Sequence, residues 1–237
     1  RQTLIPETIG SIPDVEYATT GVAAATKDFN DVMKARLPLV FAFVLGLAFV
    51  LLLLTFRSIV VPLTAIALNL LSVGAAYGLL VLVFQHHWAE GILGFSSNGG
   101  ITSWLPMFLF VVLFGLSMDY HVFIVSRVKE LVDEGEPTRE AVLHGISRTA
   151  PSVTSAAAVM VAVFAIFSTL SLLQFKQMGF GLAVAIAVDA TVVRAVLLPA
   201  TMTLLGDWNW YLPTWLEWLP GGRTRVRPRG LAVNNIR

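Results

Sequence analysis

The feature that most constrains this 237-residue sequence is that its apolar residues come in long blocks almost free of charge. Leu37–Phe56 carries none and is bracketed by Lys34, Arg36 and Arg57. Ile59–Phe84 carries none either, with Pro62 near its start and Asn69 as its most polar member. A third block, from Leu105 to Val125, is interrupted by Asp119; a fourth lies within Thr149–Phe175; a fifth, Gly179–Leu205, holds Asp189 and Arg194. A membrane-spanning helix needs about 20 mostly apolar residues. The blocks therefore predict an all-α membrane protein, a polytopic helical bundle with five transmembrane helices over about 37–56, 59–84, 105–126, 150–173 and 179–205. Composition agrees, with 56% hydrophobic and 13% charged residues, against about 25% charged in an ordinary soluble domain.

Several function classes fall away at once. The net charge of +1 gives no basic face for nucleic acid. The absence of cysteine excludes disulfide scaffolds, thiolate metal sites and cysteine nucleophiles. There is no HExxH, no GxSxG and no glycine-rich loop followed by Lys-Ser/Thr. His86 and His87 are adjacent, poor spacing for two ligands on one metal. No enzyme, catalytic residue, cofactor or metal is expected.

An odd number of spans puts the two ends on opposite sides of the membrane. If the N-terminal end is outside, ten basic residues fall inside (Arg57, Arg127, Lys129, Arg139, Arg148, and five of the C-terminal tail) and five outside (Arg1, Lys27, Lys34, Arg36 and Lys176). Inner loops carry the excess of Lys and Arg, so the sequence predicts an extracytoplasmic N-terminal end and a cytoplasmic tail in a cell membrane. Lys34 and Arg36 run against the rule. The six tryptophans avoid the span interiors, as rings that prefer the headgroup zone should. Residues 1–34 read as the end of an extracytoplasmic domain, with a strand-like Val15–Ala18 and a lead-in helix. Residues 35–206 form the bundle, with an amphipathic inner connection at 127–148 lying along the membrane face. Residues 207–237 form a Trp-rich interfacial segment and a basic tail. With Arg1 first, the chain is expected to be a piece of a longer polypeptide.

An ionisable residue at membrane depth is expensive, so it is a functional candidate by default. Asp119 lies eight residues before Arg127, about 12 Å into the bilayer. Burial there disfavours its charged form, the condition for a group that loads and releases protons. Gly115, one turn back, invites a neighbouring helix close enough to hydrogen-bond the carboxyl, and Ser126 lies two turns on. Tyr120 is about 100° around the helix and reaches an adjacent one. His121 is about 200° from Asp119, cannot share its face, and is placed to snorkel towards the inner edge. Asp189 and Arg194 are about 140° apart on an α-helix, which disfavours a direct ion pair. Arg194 is expected to snorkel and Asp189 to be a second polar element of the interior. Each of these residues also has a plain packing role open to it. Gly74 and Gly78 form a GxxxG expected to pack within the bundle.

The run Gly115-Leu116-Ser117-Met118-Asp119-Tyr120-His121-Val122-Phe123-Ile124-Val125-Ser126-Arg127 resembles the acid-tyrosine motif of the MMPL family (mycobacterial membrane protein large-like exporters) in the RND transporter superfamily. Thr55-Phe56-Arg57-Ser58 with Pro62 resembles that family's first inner turn. Gly179–Val184 through Asp189–Arg194 to Pro199 resembles its last span, and Trp208–Pro213 its C-terminal boundary. The resemblance is colinear and covers nearly the whole chain. It implies the last five spans of a twelve-span transporter built from two similar halves, preceded by the end of the second porter domain. Asp119 and Tyr120 would be the proton relay, paired with a matching Asp-Tyr in the N-terminal half. His121, Ser126, Asp189 and Arg194 would form a secondary polar network. The implied function is proton-motive-force-driven export of lipids or other hydrophobic molecules, with membrane lipids and protons as further partners and a homo-oligomer left open. The alternatives are an RND-like scaffold or receptor subunit without transport, and an RND relative that assists protein translocation.

Overall fold

The computed structural model describes residues 21–97, 99–216 and 218. Five stretches are long and apolar enough to cross a membrane. They are α1 (Val22–Phe56), α2 (Val60–Phe84), α3 (Leu105–Asp133), α4 (Thr138–Phe167) and a composite run, Leu173–Trp210. The last begins as α5 (Leu173–Val188), widens to a π-helix over Asp189–Leu197, continues as α6 (Leu198–Leu205) and ends in a 3-10 turn, Gly206–Trp210. No strand occurs among the described residues. The strand-like Val15–Ala18 and the basic tail beyond Gly221 lie outside them.

The chain divides into two compact units, 1–43 and 44–237. The described part of the first is helix from Val22, carrying Pro38 in its interior. On its exposed surface Lys27 Nζ donates to Asp31 Oδ2 at 2.6 Å, one turn on.

In the second unit α5 is the central element, packed on α4, α2 and α3. Lipid tails are as apolar as leucine, so helices here associate by close fit and hydrogen bonding rather than by exclusion of water. Glycines supply the fit. A Cβ on Gly179 would fall 2.5–2.7 Å from Phe167 Cβ, the Phe164 carbonyl and the Ser168 amide, so the backbone of α5 rests directly on the end of α4. Gly145 of α4 meets Val128 of α3 in the same way, and Gly181 admits Leu80 of α2 and Leu109 of α3. Gly74 and Gly78, expected to pack within the bundle, are exposed with no atom within 4 Å of either Cβ position. α2 instead turns Val73, Ala76 and Leu80 inward, and the small partner that receives Leu80 is on α5.

The connections tie the helix ends together. Arg57, in the turn from α1 to α2, is the one non-glycine with positive φ among the described residues, at 51°. The buried Ser58 hydroxyl accepts from the Val60 and Val61 amides at 3.1 and 3.3 Å, and donates to the Asn209 carbonyl at 2.5 Å. Ile59 N–H donates to the Tyr211 carbonyl at 3.1 Å, and Thr138 Oγ1 to Asp207 Oδ1 at 2.7 Å. The segment after α6 is thus fastened to the starts of α2 and α4. The inner connection expected at 127–148 is instead the end of α3 and the start of α4, joined by a turn over 134–137. Ala141 and Val142 are buried and Gly145 lies against Val128, so this apolar side of α4 packs on α3. At the opposite end Thr102 donates through N–H and hydroxyl to Gln177 Oε1, at 3.0 and 2.9 Å. Lys176 Nζ donates to the carbonyls of Leu93 and Gly94. Trp88, Trp208, Trp215 and Trp218 are exposed.

Candidate functional site

The polar interior is built on the π-helical stretch. There the backbone bonds run from i to i+5 rather than i+4, so a residue five positions on comes round to the same face. Arg194 consequently sits over Asp189, and the direct ion pair that α-helical spacing disfavours is made. Arg194 Nε donates to Asp189 Oδ2 at 2.8 Å, and Nη2 donates to the same oxygen. The two residues are only 6% and 5% exposed, so Arg194 is interior and does not snorkel. Ser117 of α3 completes the cluster. Its hydroxyl donates to Asp189 Oδ2 at 2.9 Å, and Arg194 Nη2 donates to its carbonyl at 2.9 Å and its hydroxyl at 3.2 Å. The guanidinium lies 4.8 Å from the centre of the Tyr120 ring, where the ring's negative face attracts it.

His121 stands one turn after Ser117 on the same face of α3. It is buried, within electrostatic reach of Arg194, and its Nε2 has no hydrogen-bond partner within the protein. The side chain therefore turns to the bundle and does not snorkel as expected. Ser117, His121 and Ile124 form the side of α3 that turns to the bundle. Ser126 is half-buried and is not among the side chains bonded to Asp189 or Arg194.

Asp119 is on the other face of α3 and is exposed. The burial expected for it is not provided within this unit. It opens into a cleft of about 280 Å³ between α1 and α3, walled by Leu47, Leu51 and Thr55 on one side and Val111, Gly115 and Met118 on the other. Thr55, the other polar side chain there, donates to its own helix at the Leu51 carbonyl, 2.8 Å away. No atom approaches within 4 Å of a Cβ built on Gly115, so α3 is bare along this face. Asp119 and Tyr120, adjacent in sequence, therefore look into different spaces. Tyr120 lines a small interior cavity with Asn69, Ser72, Ser117, Asp189 and Arg194. The charge of Asp189 is answered by Arg194, whereas among the described residues no side chain answers Asp119. Among the described residues there is also no cluster of three or more His, Cys, Asp or Glu that could hold a metal.

Asn69 and Ser72 of α2 and Ser117 of α3 were not expected in this network. Asn69 Nδ2 donates to the Phe114 carbonyl at 3.3 Å and Ser72 Oγ to the Ala185 carbonyl at 3.4 Å. Their signal in the sequence is polarity inside an uncharged run, since a polar group at membrane depth is kept only where it finds a partner.

The sequence model of the MMPL family matches residues 5–229. The chain belongs to the MMPL family. Among individual MMPL proteins it is similar to the mycolic acid-containing lipids exporter MmpL11 of Mycolicibacterium smegmatis, 47% identical over 197 residues, which cover 83% of this chain and 20% of that protein. The heme uptake protein MmpL11 of Mycobacterium tuberculosis is 43% identical over 91% of this chain and 22% of its own length. The trehalose monomycolate exporter MmpL3 of M. smegmatis is 32% identical over 86% of the chain and 20% of its own length. The chain thus spans about a fifth of the length of these MMPL relatives, and the relatives are named as transporters.

Proposed function

We propose that this chain is the C-terminal part of a proton-motive-force-driven MMPL exporter, in which Asp119 carries the proton and Tyr120 links it to the bundle interior. The observation that carries the reading is the bare carboxylate of Asp119 in an apolar cleft of a membrane span. Such a group costs several kcal/mol unless paired or protonated. Its partner must come from outside the described residues, and the N-terminal half of the same transporter, with a matching Asp-Tyr span, is the partner proposed. Protonation of Asp119 from the outer side removes its charge and changes its bond to that half, and the resulting helix shift moves the porter domains. Release inward completes the cycle. Asp189, Arg194 and Ser117, with His121 beside them, form a fixed polar wall behind α3.

In this reading residues 1–34 end an extracytoplasmic porter domain, 35–206 form the bundle, and 207–237 form an interfacial segment and cytoplasmic tail in the cell membrane. The cargo is a lipid or other hydrophobic molecule. The names of the relatives include lipid export and heme uptake, and both are consistent with a relay that is indifferent to cargo. The test is export by the full-length protein carrying Asp119→Asn, with its membrane abundance measured in parallel. Loss of export at normal abundance supports the relay. Retained export sinks it and turns attention to a scaffold role, while loss of the protein makes Asp119 structural.

A further inference from the structure

The residues that follow α6 carry a second inference, because the chain there sorts its side chains into two sets. Asn209 and Leu216 are buried, and Trp210 is half-buried under the Lys129 ammonium, which stands 5.1 Å from its ring centre. Trp208, Tyr211, Trp215 and Trp218 turn outward, 68, 50, 70 and 75% exposed. The Trp208 and Tyr211 rings neighbour each other, with 5.6 Å between their centres. Hydrogen bonds hold this arrangement. Asn209 Nδ2 closes the end of α6 by donating to the Met202 and Gly206 carbonyls, at 2.6 and 2.7 Å. The Asn209 and Tyr211 carbonyls accept from Ser58 and Ile59, and the Asp207 carboxyl accepts from Thr138. The four outward rings cannot be turned in without breaking these ties to α2 and α4.

We infer that this outward aromatic face is a binding surface for the headgroup zone of anionic phospholipids. Exposed apolar surface of this kind marks a docking site, and three features select lipid as its occupant. The face begins just after α6 and is tied to the start of α2, so it stands at the end of two membrane-crossing stretches. Its side chains are Trp and Tyr, whose rings settle at the membrane–water boundary with the polar edge wet. The large apolar side chains exposed on α1 and α2 are Leu, Val and Phe instead. Finally, the sequence turns cationic at once. From Trp218 to Arg237 it has five arginines, four of them Arg223, Arg225, Arg227 and Arg229, and no acid. Basic residues beside a membrane-crossing helix are drawn to the negative surface of anionic lipids. The rings thus set the depth of the segment and the arginines its headgroup preference. This inference rests on the interfacial reading of residues 207–237 and is independent of the proton relay.

The experiment places the full-length transporter in phosphatidylcholine vesicles with a trace of dansyl-labelled phosphatidylglycerol or dansyl-labelled phosphatidylcholine, and reads energy transfer from tryptophan. The triple variant Trp208→Phe, Trp215→Phe, Trp218→Phe supplies the background from all other tryptophans. At low salt, the transfer owed to these three rings is expected to be several-fold greater to the phosphatidylglycerol label. It should fall to the phosphatidylcholine level when Arg223, Arg225, Arg227 and Arg229 are all changed to Gln. The natural protein should show the same fall in about 1 M salt, where charges are screened within about 3 Å. Equal transfer to the two labels at low salt overturns the anionic preference and leaves the segment at the membrane. Weak transfer to both, with quenching of these tryptophans by dissolved iodide, places them in water and overturns the interfacial reading as well. Weak transfer without iodide quenching means that the rest of the transporter covers the rings, and it overturns the lipid surface. The salt comparison needs only the natural protein, so it decides the headgroup preference even where a variant fails to fold.

Discussion

Asp189 and Arg194 hold each other's charge in the interior, so removing either leaves the other buried and uncompensated. Breaking such a pair costs about 3–5 kcal/mol. Arg194→Leu is therefore expected to lower the unfolding midpoint of the full-length protein clearly, and adding Asp189→Asn to it should restore part of the loss. Single and double variants of equal stability would show that the two do not act as a pair. At this scale the sequence identified the right residues, because each polar group at depth is conspicuous by its cost. It misplaced three of them. Asp189 and Arg194 were separated by assuming an α-helical period, and nothing local in Asp189–Leu197 announces the wider π turn. For His121 the expectation of snorkelling fails, because its side chain shares a face with Ser117, one turn earlier, and turns to the bundle.

Among the helices, the close approaches of glycine rank the bundle's contacts. Gly179→Ala forces its Cβ into backbone atoms of α4, which cannot yield without moving the helix, and should cost about 1–3 kcal/mol. Gly181→Ala meets only the ends of the Leu80 and Leu109 side chains and should cost less. Gly74→Ala should fall within about ±0.5 kcal/mol, as for an open surface position. Thermal unfolding of the full-length protein in detergent checks all three. A Gly74→Ala as damaging as Gly179→Ala would mean that another helix of the whole transporter lies on that face. In the connection from α2 to α3, a hydrogen bond from His87 and another from the Ser97 amide hold the Glu90 carboxyl below the ordinary carboxylate range. With the folded value lowered, the stability this contact gives is complete above the ordinary range and is lost as pH falls through the lowered value. The protection of the Ser97 amide against exchange, relative to its free-peptide rate, should therefore fall in acid, and Glu90→Gln should flatten that dependence. The number and order of the spans were legible from hydropathy alone, since an apolar block in lipid has one stable form. Their ends were not, because α3 and α4 run past the apolar blocks on the strength of mutual packing. Nor does sequence say which glycines face a neighbour.

The molecule described here is about a fifth of the length of its MMPL relatives, and its uncovered features have a common physical reading. Asp119, Gly115, Gly74 and Gly78 are exposed on apolar helices, and in the proposed function these are the positions that would face the N-terminal half. The separation of an uncompensated acid on one face of α3 from a compensated one on the other is the central claim. Under the proposed relay, loss of the Asp119 carboxyl should stop proton uptake, whereas loss of the Asp189 carboxyl should cost stability. The direct measurement is proton-linked fluorescence quenching in vesicles reconstituted with the full-length protein, natural and Asp119→Asn, beside thermal unfolding of both. Proton uptake should be abolished in Asp119→Asn while the protein stays folded and reaches normal membrane abundance, since no bond within this unit is lost. Proton uptake at the natural rate in Asp119→Asn would contradict it.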